Sequence, residues 1–211
     1  MSLWTIIPVK PLRDGKSRLS GVLSDDERLR LVTDLFKNTL KVLKTCEVIE
    51  NLLVVSKDEK VLKLASKFGA STLRELPGSD MNSALKSASA YVLSHNSNRI
   101  LILPSDLPLL LRDDINAFIQ AALPSPSITI APDRRQDGTN ALFLSPPGGI
   151  DFQFGPGSYQ KHIDQSRQKG LGVQVFHSWS LGLDLDLPDD LEAFRRIVPM
   201  NGFMSTGEYH G

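Results

Sequence analysis

The stretch Lys10-Pro11-Leu12-Arg13-Asp14-Gly15-Lys16-Ser17-Arg18 carries four cations in nine residues, directly after an apolar run. Ammonium and guanidinium groups neutralise phosphate oxygens, and a turn containing glycine leaves backbone amides to join them. A phosphate chain is the natural partner of such a loop; a solvated basic surface is the alternative. The pattern G-x-x-x-x-G-K-[ST] is absent, so this is not a Walker A loop. Asp106 closes the most apolar stretch of the chain, Ile100-Leu101-Ile102-Leu103-Pro104-Ser105-Asp106. A carboxylate there must be solvated, paired or bound to a metal, because an unpaired buried charge is strongly unfavourable. Mg²⁺ binds through one or two carboxylates and the phosphate oxygens of a substrate, so a second acid is expected from elsewhere. Leu183-Asp184-Leu185-Asp186-Leu187 offers Asp184 and Asp186 on one face of an extended segment. The competing reading of Asp186 is that it merely approaches the helix opened by Pro188-Asp189-Asp190.

A third pair of segments is Asp137-Gly138-Thr139-Asn140 and Phe154-Gly155-Pro156-Gly157-Ser158-Tyr159. The second is glycine-rich and opens a predicted helix, which leaves amide donors for an anion. A small anionic acid offers little apolar surface, so hydroxyls and amides such as those of Thr139, Ser158, Gly155 and Gly157 would have to hold it. The four histidines, His95, His162, His177 and His210, show no ligand spacing and read as ordinary. Cys46 stands alone, without a base partner in the sequence, and reads as inert.

Periodicity supplies the elements that would position these groups. Strands are predicted over 5–9, 52–56, 100–103, 128–131, 141–144 and 173–176, with a short one over 71–73 and a strand-like stretch over 181–187. Ser24-Asp25-Asp26-Glu27 is a capping box, and Leu29, Val32, Phe36, Leu40 and Leu43 give the following helix one apolar stripe to about residue 45. Further helices are predicted over 59–68, 81–95, 112–123, 159–169 and 189–198. Strand and helix alternate early and strands cluster later. This order predicts one three-layer α/β/α domain over 1–198, its sheet parallel in the N-terminal half and mixed beyond, with a polar tail over 199–211. Ligands of open α/β sheets lie outside the carboxyl ends of the strands, so the loops leaving residues 9, 56, 103 and 131 are the expected site.

Composition narrows the function. The 211 residues are 41% hydrophobic and 23% charged, which excludes disordered, collagen-like and coiled-coil classes. Lys plus Arg and Asp plus Glu number 24 each, so no net basic field exists to hold a nucleic acid or an anionic membrane. A single cysteine excludes an internal disulfide framework. The first residues, Met1-Ser2-Leu3-Trp4-Thr5, show no secretory pattern, and a cytoplasmic location is expected.

The same residues carry a resemblance. Ile7-Pro8-Val9-Lys10-Pro11-Leu12 with Lys16-Ser17-Arg18-Leu19, Asn82-Ser83-Ala84-Leu85, Ser105-Asp106-Leu107-Pro108-Leu109, Gly138-Thr139-Asn140-Ala141-Leu142, the Phe154 to Tyr159 loop and Leu183-Asp184-Leu185-Asp186 together resemble the 2-phospho-L-lactate guanylyltransferase family, the CofC type of coenzyme F-420 biosynthesis. Departures are Gly15 where alanine is usual, Asp80-Met81 where Gly-Leu is usual, and Asp137 where a second glycine is usual. The resemblance implies a nucleotidyltransferase fold of the glycosyltransferase A type, with GTP and Mg²⁺ as co-reactants. The implied acceptor is 2-phospho-L-lactate, phosphoenolpyruvate or 3-phosphoglycerate. It implies Lys10, Lys16, Arg18 and Asp106 as catalytic residues and Lys10, Lys16, Arg18 and Asn82 on the nucleotide. Thr139, Asn140, Gly155, Gly157 and Ser158 would hold the acceptor, and Asp106, Asp184 and Asp186 the metal. A downstream deazaflavin transferase is an implied partner, and an oligomer is compatible with the sequence. The rivals are a molybdenum-cofactor or sugar-phosphate nucleotidyltransferase of the same fold, and a non-enzymatic GTP-binding α/β module.

Overall fold

The computed structural model describes residues 2–198, so the tail expected over 199–211 lies outside the described residues. Seven strands form one sheet in the order β3-β2-β1-β4-β6-β5-β7. β1 (Leu3–Pro8), β2 (Asn51–Ser56), β3 (Ser71–Arg74) and β4 (Arg99–Ile102) run parallel. β6 (Thr139–Ser145) is antiparallel to both its neighbours, β4 and β5 (Ser127–Pro132), and β7 (Gly172–Val175) pairs parallel with β5. The sheet is therefore mixed and mainly parallel, as expected.

Alternation along buried strands divides the core in two. Ile7, Val54, Leu101 and Phe143 face α1 (Asp25–Lys44), α2 (Glu59–Lys67) and α4 (Arg112–Gln120), whose Phe36, Leu40, Val61, Ala65, Ile115 and Phe118 fill that layer. Ile6, Leu53, Ile100 and Ile128 face the opposite way, against Leu85, Ala88 and Val92 of α3 (Met81–Ser94) and Ile163 of α5 (Ser158–Gln168). The capping box at the start of α1 forms: Glu27 N–H donates to Ser24 Oγ, and Ser24 N–H donates to Glu27 Oε2 at 2.8 Å.

The stretch 181–187 departs from expectation. Trp179–Gly182 is a short helix, α6, and among the described residues no strand covers 183–187. Gly182 N–H closes a helical turn onto Ser178 O at 2.9 Å, and Leu185 N–H donates to Asp106 O, at 3.3 Å. That carbonyl lies beyond the end of β4, so the segment crosses the strand ends instead of adding a strand beside them. The alternation of the segment still operates. Leu183 and Leu185 join Leu19, Leu23, Leu31, Leu35 and the α7 (Pro188–Ile197) residues Leu191 and Phe194 in a third, smaller core. That packing turns Asp184 and Asp186 the other way and ties the acidic segment to the loop after β1.

From β1 the chain passes to β2 and β3 on one side, then returns to β4 on the other. The order reverses between β1 and β4, and the crevice at such a reversal lies outside the strands' carboxyl ends. β6 runs the opposite way, so its first residues, Thr139 and Asn140, start at that same edge. Among the described residues no helix is long and apolar enough to cross a membrane.

Candidate active site

A cleft of about 710 Å³ opens at this edge, and the basic loop, Asp106, Asp184 and Asp186 all line it. Its centre is Lys16. The backbone of this residue is left-handed, with φ 56, a conformation that a non-glycine residue holds only when its surroundings impose it. Gly15 makes the approach possible, since a Cβ there would meet Val32 Cγ2 at 2.8 Å. Only 7% of the Lys16 side chain is exposed, and Nζ lies 2.6 Å from Asp106 Oδ2 and 2.7 Å from Asp186 Oδ1. Burial disfavours the ammonium, but the two carboxylates outweigh it and hold the lysine above its ordinary range. Burial likewise opposes the charge on Asp186, and Lys16 outweighs it, so this carboxyl lies below its usual range.

Asp184 behaves oppositely. Burial, and then the charges of Asp106 and Asp186, push its pKa up to about 6, against one hydrogen bond from Asn140 Nδ2 at 3.3 Å. Asp106 Oδ1 is buried and has no partner. The expected acids are thus gathered, with hard oxygen donors left over. Among the described residues no group of three or more acids, histidines or cysteines converges as a ready-made metal cage, and the cation between Asp106 and Asp186 is the Lys16 ammonium. Lys10 and Arg18 stand exposed at the cleft, close enough for their charges to act on Asp186.

Sequence reasoning missed what fixes the acidic segment. Asp190 is fully buried and takes Arg134 Nε at 2.9 Å and Arg135 Nη2 at 2.7 Å. It also accepts the backbone N–H groups of Asp186, at 3.1 Å, and Leu187, at 2.7 Å. Asp190, not Asp186, therefore serves the start of α7, which frees Asp186 for the cleft. Its place three residues after Leu187 was the available signal; nothing in the sequence pointed to Arg134 or Arg135. Asn140, expected on the substrate, has its amide nitrogen on Leu181 O at 2.9 Å and Gly182 O at 3.2 Å. The structure gives it the task of holding this segment to β6.

Of the remaining expected residues, Thr139, Gly155 and Ser158 line one arm of the cleft, and Gly157 and Asn82 stand behind them. Thr139 Oγ1 lies 3.1 Å from Ser158 Oγ and 3.1 Å from His162 Nδ1, joining β6 to α5. Gly155 has φ +123, a backbone that L side chains rarely adopt. Gly157 N–H is already engaged by Asp137 Oδ1 at 3.1 Å, and Tyr159 N–H by Asp137 O at 3.1 Å. The amides expected to receive a substrate at the start of α5 are thus partly closed by Asp137, the residue that stands where glycine is usual. Asn82 also has a protein partner: it donates to Phe154 O at 3.1 Å and accepts Phe154 N–H at 2.8 Å, clasping α3 to this loop.

The other arm lies beyond β2 and β3. Lys57 Nζ donates to Ser79 O at 2.7 Å and stands 3.8 Å from Glu75 Oε2; Met81, 37% exposed, lines the cleft beside them. Lys57 and Glu75 were not singled out from sequence; Met81 was noted there only within the Asp80-Met81 departure. Cys46 is buried, and burial pushes its thiol up to about 11, in keeping with an inert group.

Known proteins resemble this chain in sequence and in fold. The family described as "Guanylyl transferase CofC like" matches residues 3–197. A phosphoenolpyruvate guanylyltransferase of Rubrobacter xylanophilus is 38% identical over 191 residues, covering 90% of this chain and 92% of that one. A 2-phospho-L-lactate guanylyltransferase of Methanothermobacter thermautotrophicus is 34% identical, covering 90% and 83%. Among solved structures, a nucleotidyl transferase from Methanothermobacter superposes with a TM-score of 0.67 at 11% identity, over 93% of this chain and 97% of that one. The last likeness speaks to the fold.

Proposed function

Because the chain belongs to the CofC-like guanylyl transferase family, we propose that it transfers GMP from GTP to the phosphate of phosphoenolpyruvate or 2-phospho-L-lactate, releasing pyrophosphate. The observation that carries this reading is the cation-and-carboxylate centre of Lys16, Asp106, Asp184 and Asp186, set between two arms of one cleft.

The chemistry is an in-line displacement. A phosphate oxygen of the acid attacks the α-phosphorus of GTP as the bond to the pyrophosphate oxygen breaks. The nucleophile is already an anion, so no general base is needed, and the protein contributes positioning and charge neutralisation. Lys10, Lys16 and Arg18 supply the cations for the triphosphate. In the free protein Lys16 neutralises Asp106 and Asp186, and GTP phosphates are its alternative partners. Asp106, Asp184 and Asp186 suit a hard divalent cation: one buried oxygen of Asp106 is unpartnered, and Asp184 is crowded by like charge. Asp106 with Asp184 or Asp186, together with phosphate oxygens, would hold Mg²⁺, which when bound neutralises phosphate oxygens and polarises the phosphorus.

Thr139, Ser158 and the loop around Gly155 form the acceptor arm, with Asn140, Gly157 and Asn82 holding it in shape. The nucleoside then occupies the opposite arm. From β1 to β3 is two strand spacings, about 9.5 Å, which is the reach of a nucleoside whose phosphates lie on the loop after β1. A carboxylate beside an ammonium matches the edge of guanine, with Glu75 accepting from N1–H and the 2-amino group and Lys57 donating to O6. Met81 offers the base an apolar contact. The guanylylated acid would pass to a transferase that joins it to a deazaflavin.

The test is pyrophosphate release from GTP and Mg²⁺ with phosphoenolpyruvate, 2-phospho-L-lactate, 3-phosphoglycerate, a sugar 1-phosphate and a molybdopterin as separate acceptors. Release with a three-carbon acid alone is the expected result. Release only with the sugar phosphate or molybdopterin would transfer the assignment to those nucleotidyltransferases, and release with none would leave a GTP-binding module.

A further inference from the structure

His162 is completely buried, yet both its ring nitrogens have partners. Gln153 N–H donates to Nε2 at 3.0 Å, so Nε2 carries the lone pair and the proton sits on Nδ1. Nδ1–H then points at Thr139 Oγ1, 3.1 Å away, which also receives Ser158 Oγ–H at 3.1 Å. The surroundings keep the ring neutral: burial first, then the cation of Lys161, lower its pKa to about 4, and Phe154 packs against it in a T-shaped pair, 5.0 Å between centroids.

Two hydroxyls therefore share one incoming donor from His162 and one bond between themselves. Whichever of the two hydroxyls donates to the other, a single O–H proton remains over. Both oxygens belong to residues lining the cleft.

We propose that His162 is a positioning residue, whose Nδ1–H occupies a Thr139 lone pair and so leaves the one spare O–H of the Thr139–Ser158 pair free to donate toward an anionic oxygen of the acceptor. This rests on the reading that this arm holds the phosphorylated acid. An oxygen without a proton, such as a carboxylate or phosphate oxygen, satisfies that donor. Gln153 and Phe154 lie on the loop that carries Gly155, so the same imidazole fixes the loop's distance from β6.

Steady-state kinetics on His162→Asn and His162→Phe separate positioning from packing. Asn places a donor nitrogen on Cγ, where Nδ1 is attached; Phe fills the space and donates nothing. His162→Phe should raise the acceptor KM at least tenfold and leave the GTP KM within twofold, and His162→Asn should recover the acceptor KM to within about threefold of the parent. In a Thr139→Val background, His162→Asn and His162→Phe should give the same acceptor KM, because the partner hydroxyl is gone. If His162→Phe fails to fold, as circular dichroism would reveal, His162→Gln replaces it, since its amide lies one bond farther from Cβ and misses Thr139. Equal effects of the two His162 variants, equal shifts of both KM values, or additivity with Thr139→Val would overturn the proposal. Failure of the wider reading looks different: the unmodified enzyme would then release no pyrophosphate with any three-carbon acid.

Discussion

Lys16 holds a strained backbone and a buried ammonium because two carboxylates meet its charge. Lys16→Ala should slow transfer at least tenfold and leave Asp106, Asp184 and Asp186 without their internal cation. Its melting temperature should therefore rise more on addition of Mg²⁺ than that of the parent, which differential scanning fluorimetry would register; an equal rise would separate Lys16 from the proposed metal site. Asp106→Asn keeps the shape of the side chain and removes its charge. The expected result is loss of turnover with an unchanged circular dichroism spectrum, and near-parental activity at saturating Mg²⁺ would remove Asp106 from the site. At the far arm, Glu75→Gln should reduce the preference for GTP over ITP by about tenfold, because inosine lacks the 2-amino group and a charge-assisted hydrogen bond contributes about 1.5–3 kcal/mol. An unchanged ratio of kcat/KM values would place the base elsewhere. The cations and acids were legible because their types are costly to bury and cluster along the chain. Glu75 and Lys57 were not, since a single acid after a short edge strand resembles any surface residue.

Local elements were readable where the signal is local. Ser24 and Glu27 announce the start of α1 by chemistry three residues apart, and the parallel first half of the sheet follows from alternating strands and helices. The stretch 181–187 misled because Leu-Asp-Leu-Asp-Leu has the period of a strand, and it keeps that period while packing on loop and helix leucines. His162 was invisible for a related reason: its partners Thr139 and Gln153 are 23 and 9 residues away, and only the packing of α5 onto β6 brings them together. Its depressed pKa sets a stability dependence. Between the folded value of about 4 and the ordinary 6.5, the unfolded chain binds a proton that the folded one refuses. Stability is therefore full above about pH 6.5 and declines as pH falls toward 4, by up to about 3 kcal/mol. Urea titrations at pH 7 and pH 4.5 should show a smaller loss for His162→Gln than for the parent, and equal losses would assign the acid sensitivity to other groups.

At the scale of the molecule, net charge is zero, so recognition of a polyanion depends on where charge is placed. The reversal of strand order between β1 and β4 places it. The basic loop leaves one strand, Asp106 leaves its neighbour, and the antiparallel β6 starts at the same edge with Thr139. The third leucine core then brings Asp184 and Asp186 across from the other end of the chain. One cleft thus has a charged centre between two arms, which the proposed function gives to the nucleoside and to a small phosphorylated acid. The most direct test is a crystal structure of the complex with Mg²⁺, a GTP analogue whose α,β-bridging oxygen is replaced by methylene, and phosphoenolpyruvate. The predicted result is guanine against Glu75 and Lys57, the α-phosphate beside Lys16 and Asp106, and the acid on Thr139 and Ser158 with a phosphate oxygen facing the α-phosphorus. A triphosphate bound away from Lys16 and Asp106, or an acid bound outside the Thr139–Ser158 arm, would contradict it.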